Sequence, residues 1–166
     1  KKLNDTGTLP PIFADWFSCK GWQPHLHQLE MVDVDASGQS CLLIAPTGAG
    51  KTLAGFLPSL IDIAQNPGPG LHTIYVSPLK ALAADIERNL AAPITEMKLS
   101  IKIEARTGDT TSSRRQRQMK TPPHILLTTP ESLELILSYP EARQLMSGLQ
   151  RIIIDEAHVL APGKRG

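Results

Sequence analysis

The residues from Ala45 to Thr52, which read APTGAGKT, are of types that could hold a triphosphate. An apolar run, CLLIA, leads into them and apolar residues at helical spacing follow, so strand, loop and helix are predicted in that order. Gly48 and Gly50 permit backbone angles that turn several N–H groups toward one anion, and the helix start adds the positive end of its dipole. Lys51 would supply a charge to the terminal phosphates, and Thr52 a hydroxyl to Mg²⁺. The stretch predicts a phosphate-binding loop, with Ala45 where the strict pattern begins with glycine.

Two adjacent carboxylates, Asp155 and Glu156, follow a second apolar run, RIII, near the other end of the chain. An Asp at the carboxyl end of a strand can hold the coordination shell of Mg²⁺, and the neighbouring Glu can orient and deprotonate an attacking water. The alternative interpretation is a strand that ends at solvated charges. The phosphate loop upstream favours the catalytic interpretation, because the two features together are typical of nucleotide hydrolases.

Segments typical of strands and of helices alternate along the chain between these two motifs. Short apolar or alternating runs predict strands over 41–45, 72–77, 100–108, 124–129 and 151–155. Helical periodicity predicts helices over 11–21, 25–37, 53–64, 78–92 and 131–138, the fourth ending at Pro93, and a basic helix capped by Asp109, Thr110 or Thr111. This alternation predicts an α/β fold: a mostly parallel sheet with helices on both faces and function at the carboxyl ends of the strands.

Composition restricts the class of protein and the kinds of site. The 166 residues carry a net charge of +1 and contain neither an apolar run of membrane-spanning length nor a signal-peptide core, so a cytoplasmic location without a membrane partner is expected. Cys19 and Cys41 lack metal or redox spacing and are predicted to be reduced core residues. The close pair His25 and His27 has no further ligands near it in the sequence, so no zinc site is expected. The dense basic cluster over 114–120 fits a solvated helix face at least as well as phosphate contact.

Short polar signatures, SPLKAL, RTGDT, TTPES and DEAH, follow the predicted strands after the phosphate loop. Together with that loop they resemble motifs I, Ia, a glycine-turn segment, Ib and II of superfamily-two helicases, and GWQPHLHQ resembles the adenine-sensing Q segment of that superfamily. Longer blocks such as LLIAPTGAGKTLAGFLPSL, ILLTTPESLELILS and DEAHVLAPGKRG resemble the large helicase-related (Lhr) family, particularly its ligase-associated DEXH-box branch. The resemblance covers nearly the whole chain and implies a P-loop NTPase domain of RecA-like fold.

The resemblance also implies a domain division and an ATP site. Residues 22–166 would form the first RecA-like domain, incomplete at its C-terminus, after an N-terminal extension and short helix over 1–21. Thr52 and Asp155 would bind Mg²⁺, while Glu156 would activate water and act as a catalytic residue together with Lys51. His158 would couple the hydrolytic site to the nucleic acid. The residues implied in ATP binding are Trp22, Gln28, Thr47, Gly48, Ala49, Gly50, Lys51 and Thr52.

SPLKAL and TTPES resemble segments that hold the sugar-phosphate backbone of a single strand, and RTGDT is placed with them. Hydroxyls, helix N-termini and a lysine could make such contacts without reading the bases. The alternative is that the hydroxyl residues are helix caps that bind no ligand, although the resemblance favours strand binding. The residues implied in nucleic-acid binding are Ser77, Pro78, Lys80, Arg106, Gly108, Asp109, Thr128, Thr129 and Pro130.

The resemblance, with the motifs that carry it, implies an ATP-dependent helicase or translocase that acts on single-stranded DNA or a DNA·RNA hybrid. Similarity to Lhr implies movement from 3′ to 5′. A duplex translocase that does not separate strands, an ATP-gated nucleic-acid clamp and another type of phosphate-loop ATPase remain alternatives. A role in DNA repair, with ligase or nuclease partners, follows from family association alone.

Members of the resembled family continue past the motif II segment into a motif III strand and a second RecA-like domain that carries an arginine finger. Because such a finger contributes roughly 10³- to 10⁵-fold in rate, these residues alone are expected to hydrolyse ATP poorly. The motif III strand usually lies between the strands of motifs I and II. Both strands are therefore expected to lack their shared neighbour and to leave apolar faces open.

Overall fold

Four parallel strands form the central sheet of the computed structural model, which describes residues 9–46 and 48–160. The strands are β1 (Thr73–Val76), β2 (Ile103–Arg106), β3 (Ile125–Thr128) and β4 (Arg151–Ile154). The helices are α1 (Pro11–Cys19), α2 (Leu26–Ala36), α3 (Lys51–Gln65), α4 (Lys80–Glu96), α5 (Ser112–Lys120), α6 (Pro130–Leu137), α7 (Ala142–Leu145) and α8 (Ala157–Leu160), with a 3₁₀ turn over Met146–Gly148. None of the described helices combines the length and the apolar character needed to cross a membrane.

The strands lie in the order β2-β3-β1-β4, and every neighbouring pair is parallel. Val76, the last residue of β1, pairs with the last residues of both β3 and β4, and β2 ends level with β3. All four strands therefore end at one edge of the sheet, which we call the carboxyl edge. The opposite edge is the amino edge.

Side chains that alternate along the strands pack on the two faces of this sheet. On one face, Tyr75, Ile125 and Leu127 pack with helices α1, α3 and α4. On the other face, Ile74 and Leu126 pack with side chains from α5, α6 and α7. Helices thus cover both faces of a parallel sheet, and the predicted α/β fold class is confirmed.

Hydroxyl side chains begin two of the helices that follow strands. Thr111 Oγ1 accepts the Arg114 backbone N–H at 3.4 Å at the start of α5. Thr129 Oγ1 accepts the Ser132 backbone N–H at 3.4 Å at the start of α6. Pro130 takes the first position of α6, where a helix needs no N–H. The predicted cap of the basic helix is confirmed, with Thr111 as the capping residue.

A polar network at the amino edge joins α2 and α3 to β1 and β4. The Arg151 guanidinium contacts the Asp35 carboxylate through two nitrogens, and Nη2 lies 2.6 Å from Oδ2. Arg151 Nη1 also donates to Ser59 Oγ at 3.3 Å, and His72 Nε2 lies 3.1 Å from Asp62 Oδ2. Although burial acts to raise it, the hydrogen bond from His72 holds the pKa of Asp62 below its usual value. These contacts fix where α2 and α3 lie along the strands.

The predicted strand over 41–45 is wrong, because residues 41–46 belong to no helix or strand. An apolar run becomes a strand only where a neighbour takes up its backbone N–H and C=O groups, and none of the described strands pairs with this segment. Leu42 is 76% exposed and Ile44 is 85% exposed. Cys41 is exposed as well, so its prediction as a core residue is also wrong.

Strand β4 lies at the edge of the described sheet and pairs only with β1. Ile153 packs on the face covered by α3. Ile152 and Ile154 point to the other face, where they are 57% and 56% exposed. Segment 41–45 and strand β4, for which the resemblance implies a shared neighbouring strand, therefore both expose apolar side chains to solvent.

Two further sequence predictions need correction. Helix α4 does not end before Pro93 but runs to Glu96, since Pro93 and Ile94 are buried in the core and this packing offsets the lost backbone hydrogen bond. Cys19 is exposed at the end of α1, because that helix buries its two phenylalanines instead.

Candidate functional site

The loops that follow the four strands lie side by side at the carboxyl edge. Their first residues are Ser77, Thr107, Thr129 and Asp155. The Ser77 N–H donates to the carbonyl of the last residue of β3 at 3.0 Å, and the Asp155 N–H to that of the last residue of β1 at 2.9 Å. Four of the five predicted signature segments therefore begin at neighbouring positions of one edge.

The start of α3 reaches the same edge, because α3 runs antiparallel to β4. Arg151, the first residue of β4, contacts Ser59 of α3, and a Cβ on Gly55 would lie 3.7 Å from Ile153 Cγ2. Four helix residues advance about 6 Å and two strand residues about 6.6 Å. Four more residues along α3 from Gly55, toward its N-terminus, and two more along β4 from Ile153 bring the first residue of α3 level with the first residue after β4. The end of the phosphate loop and the acidic pair therefore lie level with each other along the strand direction.

The phosphate loop has the backbone that an anion site needs. Gly48 and Gly50 have φ angles of 82° and 72°, in the left-handed region that glycine adopts without a Cβ clash. No side chain caps α3, so N–H groups of its first turn are left for a ligand. Lys51 Nζ donates to Ala45 O at 2.7 Å, which holds the charge within the loop. These groups fit a triphosphate, and Thr47 lies outside the described residues.

The two other loop residues differ in what they offer a ligand. Thr52, the second residue of α3, is exposed, so its hydroxyl is open to a metal–phosphate ligand. The Ala49 N–H donates to Pro46 O at 3.3 Å and is therefore already used within the loop.

Gln28 connects the start of α2 to the phosphate loop. The side chain is 2% exposed, its Oε1 accepts the His25 backbone N–H at 2.9 Å, and its Nε2 donates to Gly50 O at 3.3 Å. One amide hydrogen and one acceptor lone pair remain after these bonds. Trp22 is 56% exposed and packs edge to face on Trp16, with ring centroids 5.7 Å apart. Gln28 supports the loop directly, which sequence reasoning missed.

Both carboxylate oxygens of Asp155 accept hydrogen bonds from the protein. Tyr75 Oη donates to Oδ2 at 2.6 Å, and the Glu156 backbone N–H donates to Oδ1 at 2.9 Å. Burial and the hydrogen bond to Asp155 raise the pKa of Tyr75 well above its usual range, so the phenol stays protonated and remains a donor. Sequence reasoning missed Tyr75, although a phenol in an otherwise apolar strand signals a polar partner.

Glu156 has an unusual backbone conformation at the end of β4. Its φ angle is 50°, in the left-handed region that residues with a side chain rarely adopt. Its side chain is 45% exposed, and Oε2 lies 3.3 Å from Nδ1 of His158, which is 77% exposed. The Glu156 carboxylate is therefore open to a water molecule and in direct contact with His158.

The oxygen atoms at this edge suit Mg²⁺, which needs few ligands from the protein, better than a metal ion whose ligands all come from the protein. Within the described ranges, no three His, Cys, Asp or Glu side chains converge on one point. Mg²⁺ commonly takes one or two protein oxygens and completes its shell with waters and substrate phosphates. Thr52 and Asp155 could supply two hard oxygen ligands of that kind.

The three hydroxyls predicted to hold nucleic acid are turned into the protein. Ser77 and Thr128 are 0% exposed and Thr129 is 4% exposed. Thr128 Oγ1 donates to Arg106 O at 2.8 Å, and Ser77 Oγ accepts the Leu79 N–H at 3.4 Å. Thr129 caps α6, as the cap alternative predicts, whereas Ser77 and Thr128 bond to backbone groups without capping a helix. What the edge offers a nucleic acid is backbone groups and Lys80.

Lys80 joins the loops after β1 and β2. Its Nζ lies 3.0 Å from Asp109 Oδ1, and both side chains are well exposed. Gly108 lies beside the same ammonium group, since a Cβ there would be 3.3 Å from Nζ. Lys80, Gly108 and Asp109, which the sequence grouped by resemblance alone, are thus in contact.

Arg106 is buried at the end of β2 and is not open to a phosphate in this structure. The residue is 3% exposed, and its guanidinium carbon lies 5.7 Å from the centroid of the Tyr139 ring. Burial lowers the pKa of Arg106. Pro78 is buried as well, while Pro130 is half-buried. Arg106 and Pro78 are therefore not open to direct contact with a nucleic acid in this structure, and their role in nucleic-acid binding stays a prediction.

The basic cluster of α5 is largely paired within the protein. Glu104 of β2 accepts from Arg117 Nη2 at 2.5 Å and from Arg114 Nε at 3.4 Å. Arg115 Nη2 donates to Gly108 O at 2.8 Å and thereby holds the loop after β2. These contacts favour the interpretation of α5 as a solvated helix face that positions a neighbouring loop.

Similar proteins are found by sequence, and the two described below carry helicase names. The sequence model described as DEAD/DEAH box helicase matches residues 25–166. The Lhr helicase/probable uracil glycosylase of Mycolicibacterium smegmatis is 39% identical over 173 residues, which cover 96% of this chain and 11% of that protein. The ATP-dependent helicase Lhr-Core of Methanothermobacter thermautotrophicus is 43% identical over 143 residues, which cover 78% of this chain and 17% of that protein.

Solved structures show the same likeness in three dimensions. The helicase Lhr of Mycobacterium smegmatis, bound to ssDNA and AMP-PNP, matches with a TM-score of 0.87 and 38% identity over 94% of this chain and 21% of that one. The DUF1998 helicase MrfA, bound to DNA and AMPPNP, matches with a TM-score of 0.82 and 30% identity over 96% of this chain and 22% of that one. The chain spans about a tenth to a fifth of the length of these relatives. With its phosphate loop, acidic pair and RecA-like parallel sheet, the chain belongs to the DEAD/DEAH box helicase family.

Proposed function

We propose that this chain binds Mg²⁺-ATP and single-stranded DNA at the carboxyl edge, as the nucleotide-binding part of an ATP-dependent DNA helicase or translocase. The proposal is carried by the contacts between α3 and β4, which bring the start of α3 level with Asp155 and Glu156 along the strand direction. The loops after β1 and β3 lie at the same edge of the sheet. The relative from Mycobacterium smegmatis, which is bound to ssDNA and AMP-PNP, supports the pairing of these two ligands.

Binding of the triphosphate involves an exchange at Lys51. Its ammonium leaves the Ala45 carbonyl for the terminal phosphates, which replaces a neutral acceptor by a charged one. Gly48, Gly50 and the uncapped first turn of α3 supply N–H donors. Gln28 is 2% exposed, so its remaining amide hydrogen and lone pair would meet the adenine edge after a local rearrangement that keeps its bond to the loop.

The acidic pair performs the two remaining tasks of hydrolysis. Thr52 and Asp155 would hold Mg²⁺, which would neutralise phosphate charge when bound. Glu156, with its exposed carboxylate, orients the attacking water and accepts its proton. His158 contacts that carboxylate at 3.3 Å, so it is the side chain placed to transmit a change at Glu156 to the nucleic-acid side.

DNA is held by the loops after β1 and β3, which are neighbours in the sheet. Helix α4 begins at Lys80 without a side-chain cap, so N–H groups of its first turn are open to a phosphate. The Lys80 ammonium, which lies 3.0 Å from Asp109 Oδ1, would exchange this carboxylate for the phosphate. Helix α6 presents its N-terminus next to it, behind the buried cap Thr129. Contacts of this kind do not read bases, so we expect binding that is independent of sequence and weakens with salt.

The test is the ATPase activity of the natural polypeptide that carries this chain, with and without single-stranded DNA. Glu156→Gln should abolish turnover and leave ATP affinity within about twofold, because the amide keeps the shape but cannot take a proton. Glu141→Gln, an exposed carboxylate at the start of α7, is the matched control and should leave both unchanged. Equal turnover in Glu156→Gln would exclude Glu156 as the base.

Further measurements separate the helicase from the alternatives. ATPase activity that DNA does not stimulate would exclude a translocase, and strand displacement distinguishes a helicase from a duplex translocase. ATP-dependent DNA binding without turnover would indicate a clamp. The proposed location is the cytoplasm. We also propose a role in DNA repair with ligase or nuclease partners, because the sequence blocks of this chain resemble ligase-associated members. Unchanged survival of a deletion strain after DNA damage would contradict that setting.

A further inference from the structure

The hydroxyl of Tyr75 is a polar group in a well-packed part of the sheet. Tyr75 is 2% exposed, and its ring centroid lies 5.4 Å from that of Phe56 in the core on the α3 face. A phenylalanine would pack there equally well, without the cost of taking a hydroxyl out of water. The hydroxyl has Ser77 as one polar neighbour, and it donates its hydrogen to Asp155, which lies 80 positions later in the chain. The contact between Tyr75 and Asp155 therefore accounts for the hydroxyl.

Sheet geometry directs these two side chains toward each other. Tyr75 pairs with Ile153 of β4, and paired residues of parallel strands project to the same face. Asp155, two residues after Ile153, projects to that face again. It is the face covered by α3, whose first turn carries Thr52. The Tyr75 hydroxyl thus meets Asp155 on the side where the phosphate loop opens.

Two donors on different oxygens fix the direction of the Asp155 carboxylate. Tyr75 binds Oδ2 at 2.6 Å and the Glu156 N–H binds Oδ1 at 2.9 Å. Each carboxylate oxygen accepts more than one hydrogen bond, so both keep acceptor capacity for a metal or its waters. Carboxylates that bind metals are commonly held by such neighbouring donors.

We propose that Tyr75 is a positioning residue for magnesium binding, because its hydroxyl holds Asp155 in the orientation in which the carboxylate meets the Mg²⁺–nucleotide complex. This inference rests on the proposed function, since it requires that Asp155 face Mg²⁺. Tyr75 touches neither metal nor phosphate and acts through Asp155. Loss of a group that orients a metal ligand typically weakens metal binding by about 10- to 100-fold, and we expect about tenfold here.

The experiment removes only the hydroxyl, by Tyr75→Phe in the natural polypeptide. Binding of a fluorescent ADP analogue, mant-ADP, is measured in EDTA and across a titration with MgCl₂. In EDTA the affinity should stay within about twofold of wild type, whereas the MgCl₂ midpoint should rise about tenfold. The matched control is Tyr139→Phe, which removes the hydroxyl of the other tyrosine of this chain, beside Arg106. Its midpoint should stay within about twofold of wild type.

A double variant tests whether Tyr75 acts through Asp155. In an Asp155→Asn background, Tyr75→Phe should change the MgCl₂ dependence no further. A further tenfold effect there, or an unchanged midpoint in Tyr75→Phe alone, would overturn the role of Tyr75 and leave the proposed function standing. A wild-type protein whose mant-ADP binding ignores MgCl₂ would overturn both.

A probe in the unsubstituted chain covers the case in which Tyr75→Phe does not fold. With 3-fluorotyrosine incorporated site-specifically at position 75 of the natural polypeptide, MgCl₂ added to the ADP complex should shift the ¹⁹F resonance. The same label placed at position 139 should keep its resonance in place. A Tyr75 resonance that does not respond to MgCl₂ would overturn the inference.

Discussion

Gly50→Ala is the substitution for which the structure gives the most detailed expectation. Gly50 lies at the start of α3 with a φ of 72°, and a Cβ there would be 2.8 Å from Gln28 Nε2 and 3.4 Å from His25 Cδ2. The same Gln28 nitrogen donates to Gly50 O at 3.3 Å. The substitution therefore acts twice: it strains the backbone and it displaces a buried amide from its partner.

The two effects can be estimated separately. A left-handed conformation costs a residue with a side chain about 1 to 2 kcal/mol. Breaking the bond from Gln28, which is 2% exposed, adds about 0.5 to 1.5 kcal/mol. Gly48→Ala carries the first cost alone, because Gly48 has a φ of 82° and a Cβ there would meet no atom within 4 Å. We expect Gly50→Ala to lose about 1 kcal/mol more in free energy of unfolding than Gly48→Ala.

Urea denaturation of both variants and of the unsubstituted protein measures this difference. The additional loss should disappear in a Gln28→Ala background, where no amide is left to displace. Equal destabilisation by Gly48→Ala and Gly50→Ala, or a difference that persists without the Gln28 side chain, would refute the reasoning. Affinity for mant-ADP should fall further in Gly50→Ala, because Gln28 also supports the loop that holds the phosphates.

Three further predictions follow from contacts at other positions. Gly55→Ala should stabilise the protein by about 0.5 to 1 kcal/mol in urea, because Gly55 lies inside α3 and its Cβ would make only ordinary contact with β4; a loss would contradict this. Asp109→Asn should raise affinity for single-stranded DNA about two- to fivefold at low salt in fluorescence anisotropy, since it frees Lys80; unchanged or weaker binding would count against it. His124 Nδ1 accepts the Lys102 N–H at 2.9 Å and burial lowers the pKa of His124, so folding favours the neutral ring. The contribution of His124 to stability should be complete above the ordinary His pKa of about 6.5 and should fall as the pH drops below it. In urea midpoints, His124→Asn, which keeps an acceptor, should reduce that fall. An identical fall in the variant would exclude His124 as the cause.

Two of the correctly predicted strands, β1 and β3, share one physical property. All four residues of β1 and of β3 are buried, because helices cover both faces of the sheet. A strand buried on both sides must be apolar without interruption, so a short apolar run between turn residues is visible in the sequence. Helices on both faces, alternating with such runs, define the fold class.

The segment over 41–45 shows the limit of that reasoning. Its apolar run is as continuous as that of β3, yet it forms no strand, and Ile44 is 85% exposed. Pairing depends on a neighbour that local sequence does not specify. The end of α4 was missed for a related reason, since burial of Pro93 compensates for its missing N–H.

The candidate site divides in the same way between local and distant signals. The phosphate loop is a contiguous motif, so its glycines and lysine could be named from the sequence. The contacts that hold it could not, because Gln28 and Gly50 are 22 positions apart and Tyr75 and Asp155 are 80 apart. Hydroxyl residues after strands are ambiguous by nature, since a cap and a phosphate contact have one local signature.

Helix α2 shows how distant contacts set the geometry of the carboxyl edge. Near its N-terminus Gln28 bonds to Gly50 of the phosphate loop, and near its C-terminus Asp35 holds Arg151 at the start of β4. Arg151 also contacts Ser59 of α3. Helix α2 is therefore tied to the phosphate loop at the carboxyl edge, and to β4 and α3 at the amino edge. Because a helix and a strand are stiff over these lengths, the separation between the phosphate loop and the acidic pair follows from the contacts at the amino edge. The proposed ATP site is therefore positioned by contacts at the amino edge as much as by the residues that would touch ATP.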